Sequence, residues 1–312
     1  MTTNPCASAT DQLKSLFVFG VFDNLQLSPN YSLIAQAISA SGFDTVVLST
    51  FHVHPDGTLY NGQQCLMANG QFNPCGDQFP QLPQIFAEIK QSGGAVNQLF
   101  YSIGNPAVSD QDLTAIQCIM DKYPDPANPK NPLFVNIQGL KELLHIDGID
   151  CDFEPSSYST WLSALVYFTE LCHNAGLKVT YNAYRNPNFW LQALQESFRH
   201  VGRQPVEYLN LQEYGGGNPA SWISDIENYG QSLGISDASA FVIPGYSCGA
   251  TCTACSGDLC NELTADRRTN PGIRGAFVWQ LGDALRCSNL EATLKSWADG
   301  VQNALDGRPC SA

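Results

Sequence analysis

Short apolar runs rich in β-branched and aromatic residues recur eight times along the chain and predict β-strands. They cover residues 15–22, 43–53, 96–104, 146–154, 177–184, 206–214, 240–246 and 273–281. Between them, apolar residues recur every three or four positions, which is typical of amphipathic helices. Such segments are YSLIAQAISASG, LPQIFAEIKQSGG, QDLTAIQCIMDKY, STWLSALVYFTELCHNAG, FWLQALQESFRHVG, WISDIENYGQSLG and NLEATLKSWADGVQNAL. Several of them end in Gly, the residue that a helix C-cap favours.

This alternation of strands and helices predicts parallel strand pairing with right-handed crossovers. Eight such units in 312 residues predict an α/β fold, a single (β/α)8 TIM barrel in one domain, 1–312. A doubly wound sheet is the alternative, but FGVFDN at the first strand lacks the G-x-G-x-x-G turn of such sheets. Loop insertions at 54–81 and 248–260 follow the second and seventh strands, so both are expected at the C-terminal face, where barrel active sites lie.

The fourth predicted strand, IDGIDCDFE at 146–154, carries four carboxylic acids. Because side chains alternate along a strand, Asp150, Asp152 and Glu154 share one face, which we expect to be the barrel interior. Acids about 6.6 Å apart in an apolar interior cannot all ionise cheaply, so at least one pKa is expected to rise. Glu154 ends the strand at the barrel mouth, where a protonated carboxyl suits general acid catalysis. Asp147 has the opposite parity, which favours a structural role at the start of the strand.

Composition narrows the classes of partner. The chain has 15 basic and 29 acidic residues, a formal net charge of -14. A surface of this sign repels phosphate backbones and anionic lipids, so neither nucleic acid nor a membrane is expected as a partner. A neutral, polar substrate remains compatible with this charge.

Twelve cysteines, a high and even number, predict disulfides in an exported protein. The first residues, MTTNPCASATDQL, do not resemble a signal peptide, so we expect a mature secreted form, with a cytoplasmic protein as the alternative. The C-x3-C-x2-C-x4-C pattern at 248–260 favours one or two local disulfides over a zinc site. Cys151 and Cys172 are predicted to be small buried apolar residues.

The acidic strand also resembles a known family signature. D-G-I-D-C-D-F-E at 147–154 is similar to the D-G-x-D-x-D-x-E motif of glycoside hydrolase family 18, the chitinases and related endo-β-N-acetylglucosaminidases. In that family the motif lies on the fourth strand of a (β/α)8 barrel. SIG at 102–104 resembles the third-strand S-x-G-G, although Asn105 replaces the second Gly. QEY at 212–214 and GAFVW at 275–279 resemble the motifs of strands six and eight.

The resemblance implies a catalytic set of Glu154, Asp152, Asp150 and Tyr214. Glu154 would protonate the glycosidic oxygen and later activate water, while the 2-acetamido carbonyl of the sugar replaces an enzyme nucleophile. Asp152 would orient the acetamido nitrogen, Asp150 would share a proton with Asp152, and Tyr214 would hydrogen-bond the acetamido oxygen. Trp279 would form the apolar floor beneath the sugar. The resemblance implies no metal and no organic cofactor.

Other polar residues near the strand ends have weaker assignments. Gln212 shares the face of Tyr214 and is predicted to line the substrate site. Tyr184 or Arg185, at the end of the fifth strand, is a candidate for sugar contact. His52 and His54 end the second strand, where a role in positioning the loop is favoured over a metal pair. The SIG residues are expected to shape the barrel rather than to take part in chemistry.

The resemblance therefore implies a retaining, endo-acting hydrolase of β-1,4-linked N-acetylglucosamine in chitin or chitooligosaccharides. Two alternatives are an endo-β-N-acetylglucosaminidase acting on N-glycan cores, and a non-catalytic chitin-binding lectin or inhibitor on the same barrel. The stretch from 246 to 273 is too short for the α+β insertion that deepens the cleft of many chitinases, which predicts a shallow, open groove. We expect the protein to act as a monomer.

Overall fold

The computed structural model describes residues 12–21, 30–62, 64–74, 81–91, 93–249 and 251–310. Its strands in these ranges are β1 (Leu13–Val18), β2 (Thr45–Val53), β3 (Leu59–Asn61), β4 (Gln64–Ala68), β5 (Gln71–Phe72), β6 (Gln98–Gly104), β7 (Gly148–Asp152), β8 (Lys178–Ala183), β9 (Val206–Gln212), β10 (Val242–Ser247) and β11 (Gly275–Trp279).

The helices in the same ranges are α1 (Tyr31–Ala40), α2 (Leu82–Ile89), α3 (Ser109–Lys122), α4 (Pro132–Leu144), α5 (Leu162–Asn174), α6 (Pro187–Val201), α7 (Pro219–Tyr229), α8 (Ala238–Phe241), α9 (Cys255–Thr269), α10 (Leu281–Ala284) and α11 (Leu290–Asp306). None of these helices is both long enough and apolar enough to cross a membrane.

Eight parallel strands close into a barrel. Strands β1, β2 and β6 to β11 pair in sequence, and β11 pairs back with β1. The main apolar core lies between these strands and the surrounding helices. Each of the eight predicted strands overlaps one barrel strand, so the predicted (β/α)8 TIM barrel is confirmed.

A smaller apolar cluster fills the barrel interior beneath its C-terminal face. Phe17, Phe100, Tyr208 and Phe277 are among its buried members. A Cβ atom added to Gly148 would lie 2.2 Å from Cε1 of Phe100. The glycine that precedes the row of acids on β7 is therefore required by close packing of the ring against that strand.

The insertion at 54–81, predicted as a polar loop, contains a small antiparallel sheet within its described part. Strand β2 pairs with β3, β3 with β4, and β4 with β5. Leu59, Leu66 and Met67 are buried. These apolar positions are few and separated by turn residues, so their strand pattern is too short to recognise in the sequence.

Four of the described helices were not recognised from the sequence: the short α8 and α10, and the longer α4 and α9. Helix α4 follows a proline-rich stretch and starts at Pro132, with the Asn131 side chain accepting a hydrogen bond from the backbone N–H of Leu133. Helix α9 begins inside the cysteine-rich segment that was predicted to be a loop. Its Leu259 and Leu263 are buried, so tertiary packing overrides its content of Gly, Ser and Thr.

Three disulfides connect the C-terminal part of the chain: Cys248–Cys255, Cys252–Cys287 and Cys260–Cys310. The first is local, as predicted, whereas the other two bridge 35 and 50 residues. All four thiols at 248–260 are bonded, so they cannot be the thiolate ligands of the alternative zinc site. Cys151 and Cys172 are fully buried, as predicted. Cys6 and Cys75 lie outside the described residues.

Candidate active site

Asp150 lies at the centre of a buried polar layer. Asp150 lies on β7, and the strand pairing puts Ser102 of β6 and Thr180 of β8 directly beside it. Ser102 Oγ donates a hydrogen bond to Oδ2 at 3.1 Å, and Thr180 Oγ1 donates to Oδ1 at 2.6 Å. Asn210 Nδ2 donates to Oδ1 at 2.9 Å. Complete burial raises the pKa of Asp150 to about 6, despite the opposing effect of these hydrogen bonds.

Asp152 is the next acid along the same face of β7. It is 6% exposed, and Gln212 Nε2 donates a hydrogen bond to its Oδ1 at 3.0 Å. Burial raises the pKa of Asp152 well above its usual range, and the negative charges of Asp150 and Glu154 raise it further. The expected rise in pKa within the acidic row therefore falls on Asp150 and Asp152, the two buried acids of that row.

Glu154 follows the end of β7 and is half-buried at the barrel mouth. Its backbone N–H donates to Ser109 Oγ at 2.8 Å, which ties the loop after β7 to the start of α3. Gln212 Nε2 approaches Oε1 at 3.5 Å, so this one amide lies between Asp152 and Glu154. Burial, together with the negative charge of the nearby Glu154, raises the pKa of Tyr184 to about 12.

Two aromatic rings form a platform on the opposite side of the mouth. Tyr214 follows β9 in a 3-10 turn, Glu213–Gly215, and its ring stacks on Trp279 with centroids 5.7 Å apart and planes inclined by 20°. The rings of Phe17 and Phe19 pack against Trp279, with centroids 5.9 and 5.3 Å away. Tyr214 is 37% exposed. Desolvation of its hydroxyl, followed by the charges of Asp152 and Glu154, raises the pKa of Tyr214.

The fourth acid of the strand lies elsewhere. Asp147 forms an ion pair with Lys90 at 2.7 Å and accepts the backbone N–H of Leu99, also at 2.7 Å. It therefore connects the start of β7 to α2 and β6, consistent with the structural role expected from its parity.

The two histidines at the end of β2 have separate partners. His52 Nδ1 lies 3.1 Å from Asp112 Oδ2, while the His54 ring stacks on Tyr60 at 3.8 Å. Both line a cavity of about 690 Å³ beside α3, whose lining does not include the acidic row. Across the described ranges, no group of three or more His, Cys, Asp or Glu side chains is arranged to hold a metal ion.

Gly104 is constrained by the acidic strand. Its φ is 102°, and an added Cβ would lie 2.4 Å from the backbone oxygen of Asp152. The third-strand motif thus lets β6 approach β7 closely, while its Ser102 also supports Asp150. Asn105, in place of a second glycine, has a φ of 131°.

Several residues of the site were missed in the sequence. Thr180 and Asn210 both hold Asp150, and Ser109 holds the backbone of Glu154. Thr180 and Asn210 are polar residues at buried positions of β8 and β9, and a polar residue in the middle of a predicted strand could have identified them. Ser109 carries no such signal, because only the closed barrel brings α3 beside the loop after β7.

No protein-family model and no curated protein matches the sequence. Solved structures do match. The Group IV chitinase of Ostrinia furnacalis, in complex with allosamidin, has a TM-score of 0.59 at 8% identity, over 96% of this chain and 100% of that one. The class V chitinase of Nicotiana tobaccum has a TM-score of 0.58 at 11% identity, over 93% and 98%. The catalytic domain of a family GH18 chitinase from the fern Peteris ryukyuensis has a TM-score of 0.56 at 14% identity, over 94% and 99%. The chain therefore has the fold of family 18 chitinases.

Proposed function

We propose that this protein hydrolyses β-1,4-linked N-acetylglucosamine in chitin or chitooligosaccharides, with retention of configuration. One observation carries the proposal: the acids at 150, 152 and 154 form a graded row from the buried barrel centre to its open mouth. The inner two are buried and have raised pKa values. The outermost lies at the barrel mouth, which also carries the stacked rings of Tyr214 and Trp279. This arrangement suits a substrate that supplies its own nucleophile.

In the proposed first step, the sugar ring lies on Trp279 and its 2-acetamido group points toward Asp152. The acetamido carbonyl oxygen attacks the anomeric carbon while Glu154 transfers its proton to the glycosidic oxygen, and the C–O bond to the leaving sugar breaks. Tyr214 donates a hydrogen bond to the acetamido oxygen. Gln212 supports the geometry because its amide lies between the carboxyl groups of Asp152 and Glu154.

In the second step, the ionised Glu154 accepts a proton from water, whose oxygen attacks the anomeric carbon and reopens the oxazolinium ring. The two displacements restore the original anomeric configuration. Asp150 acts through its neighbour: it shares a proton with Asp152, which can become anionic as positive charge develops on the acetamido group. No step in this proposal passes through a metal or an organic cofactor.

We further propose that residues 1–312 act as one catalytic domain and that the protein is a secreted monomer. The barrel strands span most of the chain, from β1 to β11, which supports a single domain. Three disulfides support export, because oxidising compartments preserve such bonds.

The proposal is tested with a chromogenic chitooligosaccharide and the Glu154→Gln variant. Loss of the general acid should lower kcat by about 10²–10⁴-fold, the usual contribution of such a group. Asp147→Asn is the matched control, since it removes another acid of the same strand on the opposite face; its kcat should stay within about threefold of native. Product analysis by NMR should show the β-anomer first.

Two results would contradict the proposal. If native protein binds chitin without turning it over, the barrel acts as a lectin. If Glu154→Gln and native protein hydrolyse the substrate at equal rates, Glu154 is not the acid.

A further inference from the structure

Arg185 is a preorganised cation beside the acidic row. It follows β8, and its guanidinium carbon lies 4.9 Å from the ring centroid of Tyr184 and 5.7 Å from that of Tyr158. Its Nε donates to the Tyr158 hydroxyl at 3.4 Å. Tyr158 is itself anchored, with its ring 5.1 Å from that of Phe189 and 6.5 Å from that of Trp190. The guanidinium is therefore held in place without an acidic partner.

The two terminal amino groups of Arg185 remain available. Among the described residues, no carboxylate forms an ion pair with Arg185. Its side chain donates a hydrogen bond from Nε to the Tyr158 hydroxyl. The hydrogen bond to Tyr158 raises the pKa of Arg185, with a smaller contribution from the Glu154 charge, so the side chain is always cationic. The chain as a whole has a net charge of -14. An exposed arginine without an acidic partner adds positive charge near Glu154, in contrast to that overall negative charge.

The position of Arg185 relative to Glu154 indicates which part of a substrate it meets. Strand β8, which precedes Tyr184 and Arg185, pairs with β7. Glu154 follows β7, and its charge is close enough to raise the pKa of both Tyr184 and Arg185. Trp279 lies on the far strand of the barrel from β7, so the sugar that receives the acetamido attack lies toward β11. Glu154 protonates the oxygen between that sugar and its leaving group. The leaving group therefore extends past Glu154, toward Tyr158 and Arg185.

We infer that Arg185 forms a subsite for a carboxylate substituent on the leaving-group sugar. A guanidinium stacked on rings keeps its in-plane N–H donors for a carboxylate, and the fork geometry matches its two oxygens. The substrate class is thus a β-linked N-acetylglucosamine glycan whose next sugar carries an acidic group. The inference rests on the proposed hydrolase function and assigns its leaving-group specificity.

The test uses two aryl chitobiosides that differ in one group. One leaving group carries a CH2–COO⁻ substituent, and the other carries the matching CH2–CONH2. The methylene group limits the electronic effect of the substituent on the leaving oxygen. Native protein, Arg185→Gln and Arg185→Lys are compared, with Arg203→Gln as the control for loss of a surface arginine elsewhere. The quantity compared is the ratio of kcat/KM for the carboxylate to that for the amide.

We expect the native ratio to exceed the Arg185→Gln ratio by about fivefold at low ionic strength, the upper range for an exposed ion pair. Arg185→Lys should retain part of the preference, because it keeps the charge and loses the fork. Arg203→Gln should match native, and about 0.5 M salt should reduce the preference. The kcat for the amide substrate should change by less than about twofold in Arg203→Gln.

Equal ratios in native and Arg185→Gln protein would overturn the inference, as would an equal loss on both substrates. Dissociation constants for the two chitobiosides, measured calorimetrically in Glu154→Gln, separate this result from a failure of the hydrolase proposal. If native protein cleaves neither substrate, the function fails, while a fivefold carboxylate preference in binding that vanishes with Arg185→Gln still supports the subsite. Absence of that preference overturns it.

Discussion

Because the Asp150 carboxyl is buried, we predict that the free energy of unfolding depends on pH. Its pKa is raised from 3.8 to about 6 in the folded protein. Between these values the folded state holds a proton that the unfolded state has released, so stability falls as pH rises through this window. The shift corresponds to about 3 kcal/mol, at 1.36 kcal/mol for each pKa unit. Asp150→Asn carries no charge at this position, so its stability should not fall over this pH range for the same reason.

The amide introduced by Asp150→Asn should preserve the packing. Its carbonyl oxygen can accept from Thr180 and Asn210, and the Ser102 hydroxyl can rotate to accept from its amino group. We therefore expect native protein and Asp150→Asn to have similar unfolding free energies at pH 4. At pH 7.5, Asp150→Asn should be more stable than native by about 2–3 kcal/mol. Removing the Asp150 charge also lowers the pKa of Asp152, which acts in the same direction.

The assay is urea unfolding at pH 4, 5.5 and 7.5, followed by tryptophan fluorescence and far-UV circular dichroism. Asp150→Ala serves as a second variant: it leaves three donors without their acceptor and should destabilise the protein at every pH, by about 1–3 kcal/mol for each donor that stays unsatisfied. If the difference in unfolding free energy between native and Asp150→Asn does not change with pH, Asp150 does not ionise in this window and the prediction is wrong.

Two further variants examine the site and its support. Gln212→Ala removes the amide between Asp152 and Glu154, and kcat should fall about 10–100-fold through loss of alignment; native kcat in a chitooligosaccharide assay would contradict this role. Replacing both Cys260 and Cys310 by Ser removes a disulfide that joins residues 50 positions apart. From the loop entropy, the free energy of unfolding should fall by about 4 kcal/mol. Denaturant unfolding checks this value, and a loss below about 1 kcal/mol would show that the bond contributes little.

Much of the barrel could be predicted from local patterns. Strand alternation places successive side chains on opposite faces, so the separation of Asp147 from Asp150, Asp152 and Glu154 follows from spacing alone. The eight strands could be recognised for the same reason, since each repeats a short apolar pattern. Helix α4 and the β3–β5 sheet could not, because proline-rich and turn-rich flanks obscure short patterns.

Periodicity within single elements is enough to predict the (β/α)8 fold and the inward row of acids. The groups that surround that row, in contrast, depend on tertiary contacts. Thr180, Asn210 and Gln212 reach it from other strands, and Cys252 is bonded to a cysteine 35 residues away. Such contacts depend on how the strands close and how the loops cross the barrel mouth, and neither is encoded in the spacing of neighbouring residues.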